Sequence, residues 1–245
     1  MILKFSIRKI IIVLTITISA LTLASLGQHF LEYMWGRADA LAIPRRFNVG
    51  EDANVPTWYS SVVLLLCSVL LAMIAAAKRN ASDRYSLHWA FLSIIFLLLS
   101  LDEVATIHEA VGDTIGSAFK LVGVKVGGLL YAAWVIPGAI FIFIVLIAYL
   151  RFLADLPKST RRLFLVAGTL FVIGAIGMEM LSARLSSFYG WENLESMPVN
   201  IKIVIALQTA VEELLEMCST VVLLYALLAY ARSHVEKITI QINDR

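Results

Sequence analysis

Six long apolar stretches constrain this chain more than any other feature: roughly residues 10–33, 58–77, 87–108, 127–150, 163–183 and 203–230. At about 1.5 Å of rise per residue, each is long enough as a helix to cross about 30 Å of hydrocarbon. Lipid cannot hydrate an open backbone, so such a segment must satisfy its N–H and C=O groups internally, as a helix. The expected fold is therefore all-α, a polytopic transmembrane helical bundle of about six spans with residues 1–245 forming a single transmembrane domain. The composition agrees. Apolar residues make up 60% of the chain and charged ones only 16%, against about 25% charged in soluble domains, and the mean hydropathy is +0.85. The first stretch also has features of a secretory signal, with Lys4, Arg8 and Lys9 ahead of it and Thr22-Leu23-Ala24 as a cleavage site. Its apolar and aromatic character continues through Phe30 and Trp35, past a normal signal length, so it reads as a span.

Orientation follows from Lys and Arg. Thirteen of the twenty fall at the N-terminus, in the second and fourth loops (Lys78 to Arg84, Arg151 to Arg162) and in the tail; the other loops carry seven, Arg37, Lys125 and Lys202 among them. The positive-inside rule then places both termini in the cytoplasm. Tyr33, Trp58, Tyr59, Tyr131, Trp134, Tyr189 and Trp191 gather toward the outer boundary, as an interfacial belt does. The net charge of +2 is spread over loop ends, which excludes a nucleic-acid footprint. Lipid is the expected partner, with a membrane-protein partner or a second copy of the chain as further candidates. Cys67 and Cys218 lie inside apolar stretches without metal or redox spacing. The outer loop of about 36–57 is expected to cap the bundle, and residues 110–126 to form an interfacial piece.

Acids inside the spans are the chemical anomaly. Charge at membrane depth costs a few kcal/mol, so intramembrane acids usually face a partner, an ion or water. Asp102, Glu103, His108 and Glu109 end the third stretch, Glu179 interrupts the fifth, and Glu212, Glu213 and Glu216 interrupt the sixth. If the third helix continues, Asp102, Thr106, Glu109 and Asp113 share one stripe, while Gln208, Glu212 and Glu216 share another on the sixth. Gly168, Gly174 and Gly177 would let a neighbour come close to Glu179. Gln28, His29 and Glu32 near the end of the first helix are candidates for the same pocket. Like charges at such depth cannot all stay ionised unless a cation neutralises them or some are protonated.

Mixed carboxylate and imidazole donors suit iron, manganese or zinc, and carboxylate sites in helical bundles supply a physical template. On that reading Asp102, His108, Glu109, Glu179, Glu212 and Glu216 are candidate ligands of a divalent metal ion, with Glu103 and Glu213 as proton-transfer groups. His108-Glu109 is no zinc-protease motif, because Gly112 stands where its second histidine belongs. Three functions remain open at this level: a membrane-embedded metal-dependent enzyme, a proton- or cation-coupled transporter, and a non-catalytic subunit or assembly factor of a membrane complex. A structural reading, in which polar groups merely bind helices together in lipid, stands beside them.

Leu101-Asp102-Glu103 with His108-Glu109, Trp134-Val135-Ile136-Pro137-Gly138, Leu156-Pro157 with Arg161-Arg162, Gly177-Met178-Glu179, and Glu212-Glu213 with Glu216-Met217 form a combination. It resembles a family of uncharacterised prokaryotic six-helix polytopic membrane proteins. The resemblance spans about Pro56 to Tyr230. It implies a prokaryotic plasma (inner) membrane and brings no activity or catalytic residue with it.

Overall fold

Each of the six apolar stretches is helical in the computed structural model, which describes residues 6–35, 44–123, 128, 132–189 and 197–235. Tyr131 and Trp191 of the aromatic belt, and Lys4, Arg37 and Lys125 of the charge count, lie outside the described residues. The helices are α1 (Ile7–Trp35), α2 (Val55–Asn80), α3 (Ser86–Ala105), α4 (Ile107–Leu121), α5 (Val135–Asp155), α6 (Lys158–Val172), α7 (Glu179–Tyr189) and α8 (Val199–His234). A π-helical turn, Ile173–Met178, joins α6 to α7. No strand occurs among the described residues. α1, α2, α3, α5, the continuous Lys158–Tyr189 rod and α8 are long and apolar enough to cross a membrane. This is a multi-pass membrane protein in contact with the bilayer.

Local chemistry sets the helix ends. Asn54 caps α2 by accepting a hydrogen bond from the Thr57 N–H at 3.0 Å, with Pro56 in the first turn, where its missing N–H costs nothing. Asp83 turns the chain from α2 to α3, accepting from the Tyr85 N–H at 2.8 Å and pairing with Lys78 at 3.1 Å. Burial raises the Asp83 pKa, but those two contacts outweigh it and leave the carboxyl below its ordinary value. Two expected boundaries move. The third span ends at Ala105 instead of 108, because Thr106 takes left-handed angles, φ 46 and ψ 41, uncommon for a β-branched residue. The fourth begins at Val135 instead of 127; the apolar run ahead of it includes Gly128 at φ +67, an angle no right-handed helix accepts.

The bundle is organised on α8, against which α1, α2, α6 and the π turn all pack. Its core joins Ile18, Val63, Leu71, Ile74, Met217, Leu224 and Leu227 to Trp89 and Phe152. α2 and α3 form an antiparallel hairpin fastened by two reciprocal serine pairs. Ser61 and Ser100 each donate to the other's carbonyl at 2.8 Å, and Ser68 and Ser93 do so at 2.7 and 2.9 Å. Small side chains let the backbones approach, and their hydroxyls satisfy themselves without water. Tyr59, expected in the interfacial belt, is buried with its hydroxyl on the Leu14 carbonyl at 3.2 Å, whereas Trp58 and Phe188 are exposed. The outer loop folds down onto the bundle: the Val49 N–H donates to Ser25 at 3.2 Å, and Gly50 lies so close to the Thr209 methyl that a Cβ would stand 2.6 Å from it.

Candidate functional site

The break at Thr106 is held by Asp102. One of its oxygens accepts the His108 N–H at 2.8 Å, and the other meets His108 Nδ1 at 2.9 Å. A single carboxylate thus caps α4 and orients an imidazole. The predicted stripe from Asp102 to Asp113 is therefore broken, since Glu109 and Asp113 ride on a second helix that leaves the direction of α3. α4 lies outside the membrane-crossing helices. Burial lowers the His108 pKa, but the Asp102 hydrogen bond and the charges of Asp102, Glu109 and Glu179 outweigh it, so the imidazole ends above its ordinary value. The Glu109 carboxyl is raised, by desolvation first and by Asp52 second. Trp134 packs edge-on against His108 with centroids 4.9 Å apart. Its indole fits between two glycines: a Cβ on Gly112 would stand 3.6 Å from its Cδ1, and one on Gly138 3.0 Å from its Cζ3.

Glu179 reaches its place through the π turn. A π turn inserts an extra residue per turn and redirects the helix beyond it, and here it lies directly on the Glu212–Glu216 turn of α8. A Cβ on Gly174 would meet Glu216 Cγ at 2.8 Å and the Glu212 carbonyl at 3.2 Å, so the predicted close approach occurs there. It does not occur at Gly168, where a Cβ meets nothing within 4 Å, and scarcely at Gly177, at 3.9 Å. The Glu212 residue is 9% exposed; its carboxyl accepts from Gln208 Nε2 at 3.0 Å and lies close to the Glu179 carboxyl. Gln208 Nε2 also donates to the Met178 carbonyl at 3.1 Å, while its buried Oε1 has no partner.

All eight residues singled out from the sequence, Asp102, Glu103, His108, Glu109, Glu179, Glu212, Glu213 and Glu216, border one cavity of about 1830 Å³. Asp52 of the outer loop and Asp113 of α4 border it as well, making nine carboxyls among the described residues, with Lys120 as the only Lys or Arg among the described lining residues. Glu109 and Asp113 are exposed at its mouth. Gln28, His29 and Glu32 are not brought to its wall; His29 stacks on Tyr33 with centroids 5.5 Å apart. Among the described residues no group of three or more His, Cys, Asp or Glu side chains is arranged to hold a metal ion. Both oxygens of Asp102 are turned to His108, and Glu212 is held by Gln208. Sequence reasoning missed Asp52, Ser60 and Trp134 as wall residues. No helical period connects them to the acids, and only the folding of the outer loop and the wedge between α4 and α5 place them there.

The family described as Domain of unknown function (DUF8692) matches residues 11–231, nearly the whole chain. No curated protein and no solved structure matches it.

Proposed function

We propose, starting from the chain's membership of the DUF8692 family, that this membrane protein binds a cation in the outer half of the bilayer and exchanges protons against it. The convergence of the Glu179 and Glu212 carboxyls on one cavity wall carries this reading. Two carboxyl groups brought close together hold either a proton or a cation between them, because two bare like charges in a poorly solvated site repel. The surplus of nine lining carboxyls over Lys120 and His108 extends the same argument to the whole wall. In this reading Glu179, Glu212 and Glu216 hold the cation. Glu103 and Glu213 take up or release the compensating proton, and His108, with Nδ1 occupied by Asp102, passes it through Nε2 toward the mouth.

The form of this reading with a resident divalent metal ion is the less supported one, since Asp102 and His108 are committed to each other and the acids do not form a metal-holding group among the described residues. The test is proton release from purified protein in weakly buffered detergent, titrated in turn with ethylammonium, manganese(II) and zinc(II). About one proton should appear per cation bound for at least one of them. The release should fall at least tenfold in Glu179→Gln and in Glu212→Gln. Release by none of the three, or release unchanged in both variants, overturns the proposal.

A further inference from the structure

The cavity is far larger than a cation needs. A hydrated ion takes a few water volumes of about 30 Å³ each, and drug-sized pockets run to roughly 1,000 Å³, whereas this one holds about 1830 Å³. Its acids occupy only one end. From there it runs between α3, α5 and α6 past Leu92, Phe96, Phe141, Val145, Phe164 and Gly168. Phe164 and Glu179 are fifteen residues apart on one continuous rod, about 22 Å at the helical rise. The slot is therefore long enough for a hydrocarbon chain that spans one leaflet, half of the roughly 30 Å core.

α5 makes this slot by standing off the bundle. At its outer end Gly138 lies against Ile176, with 3.5 Å between a Cβ there and Ile176 Cδ1. At its inner end the Tyr149 hydroxyl donates to the His88 carbonyl at 2.8 Å, and Phe152 packs edge-on against Trp89 at 5.0 Å. Between these contacts Phe141, Phe143, Ile144, Leu146 and Ile147 are exposed. The cavity is partly open, and an opening beside the stood-off α5, at the depth of a membrane-crossing helix, would face lipid. At the acid end Glu179, Glu212, Glu213 and Glu216 border the cavity together, and such a set of acceptor oxygens calls for a cationic group rich in N–H donors.

We infer that the ligand of this site is a long-chain amphiphile with an amine head group, which enters sideways from the bilayer, seats its ammonium among Glu179, Glu212 and Glu216, and lays its tail in the slot between α3, α5 and α6. This rests on the cation-binding reading above, to which it adds the chemical class of the ligand.

The probe is hexadecylamine carrying a mid-chain diazirine, photolysed with the purified chain in phosphatidylcholine nanodiscs, with the labelled residues mapped by mass spectrometry. Labelling is expected on the slot faces of α3, α5 and α6. Unlabelled hexadecylamine should displace the probe at least tenfold better than hexadecanol or hexadecanoic acid. Glu179→Gln combined with Glu212→Gln should weaken displacement by hexadecylamine at least tenfold while leaving the map unchanged. Gly168→Trp fills the slot from a position where a new side chain meets no atom within 4 Å at its Cβ. It should abolish slot labelling and leave ethylammonium-driven proton release intact. Labelling spread over the lipid-facing helix surfaces, labelling that survives Gly168→Trp, or equal displacement by the alcohol overturns the inference. Because proton release by ethylammonium does not involve the slot, its persistence in that case means that the tail assignment alone has failed; release by none of the three cations in the wild type removes the cation reading beneath it.

Discussion

Gly174→Ala is the sharpest perturbation of the contact that brings Glu179 to α8. The added Cβ would stand 2.8 Å from Glu216 Cγ, 3.2 Å from the Glu212 carbonyl and 3.3 Å from Leu215 Cβ. The first contact can be relieved by a side-chain rotation, but the second is backbone and gives way only if α8 and the π turn separate. Overpacking of this kind costs about 1–3 kcal/mol. Against it stands the usual gain of about 1 kcal/mol when Ala replaces Gly in a helix. Gly168→Ala measures that gain alone, since its Cβ meets nothing within 4 Å. The difference between the two variants therefore isolates the contact at about 1–3 kcal/mol. For a chain of this size each kcal/mol moves Tm by about 2–4 °C, so thermal unfolding in detergent should place Gly174→Ala several degrees below Gly168→Ala. The separation of the helices should also weaken cation-driven proton release. Equal midpoints for the two variants, with proton release unchanged in both, would refute the claim that the π turn and α8 are locked at Gly174.

The latch between Asp102 and His108 should depend on pH. The His108 pKa is raised on folding, so its stabilising contribution is fully present below the unfolded value of about 6.5 and is lost as pH rises through the folded value. Hydrogen exchange across α4 should accordingly differ between wild type and His108→Gln at about pH 6, below that unfolded value, and converge at high pH; a difference that grows with pH contradicts this. Each of Ser68→Ala and Ser93→Ala removes one hydroxyl-to-carbonyl bond between α2 and α3, so each should lower stability in detergent unfolding by about 0.6 kcal/mol, the average for hydrogen bonds between membrane helices. No loss in either variant would mean that these bonds only accompany the packing.

Hydropathy alone determined the number and helical nature of the spans, because lipid leaves a long apolar segment no other way to satisfy its backbone. It also flagged the acids at Asp102, Glu103, Glu179, Glu212, Glu213 and Glu216, because charge at membrane depth is costly wherever it sits. Where those side chains go was a tertiary decision. Thr106 carries no Gly or Pro signal, yet it breaks the third helix, because Asp102 and His108 stabilise a left-handed turn through contacts that a helical period cannot encode. Three glycines near Glu179 were equivalent as letters, and only the packing of the π turn on α8 distinguished Gly174 from Gly168. Asp52 is remote in sequence from every other acid and reaches the cavity because the outer loop folds onto α1 and α8. The solvent dictated the helices, but their registry, their breaks and the slot behind α5 came from side chains meeting across the bundle, and those meetings are not written in any single segment.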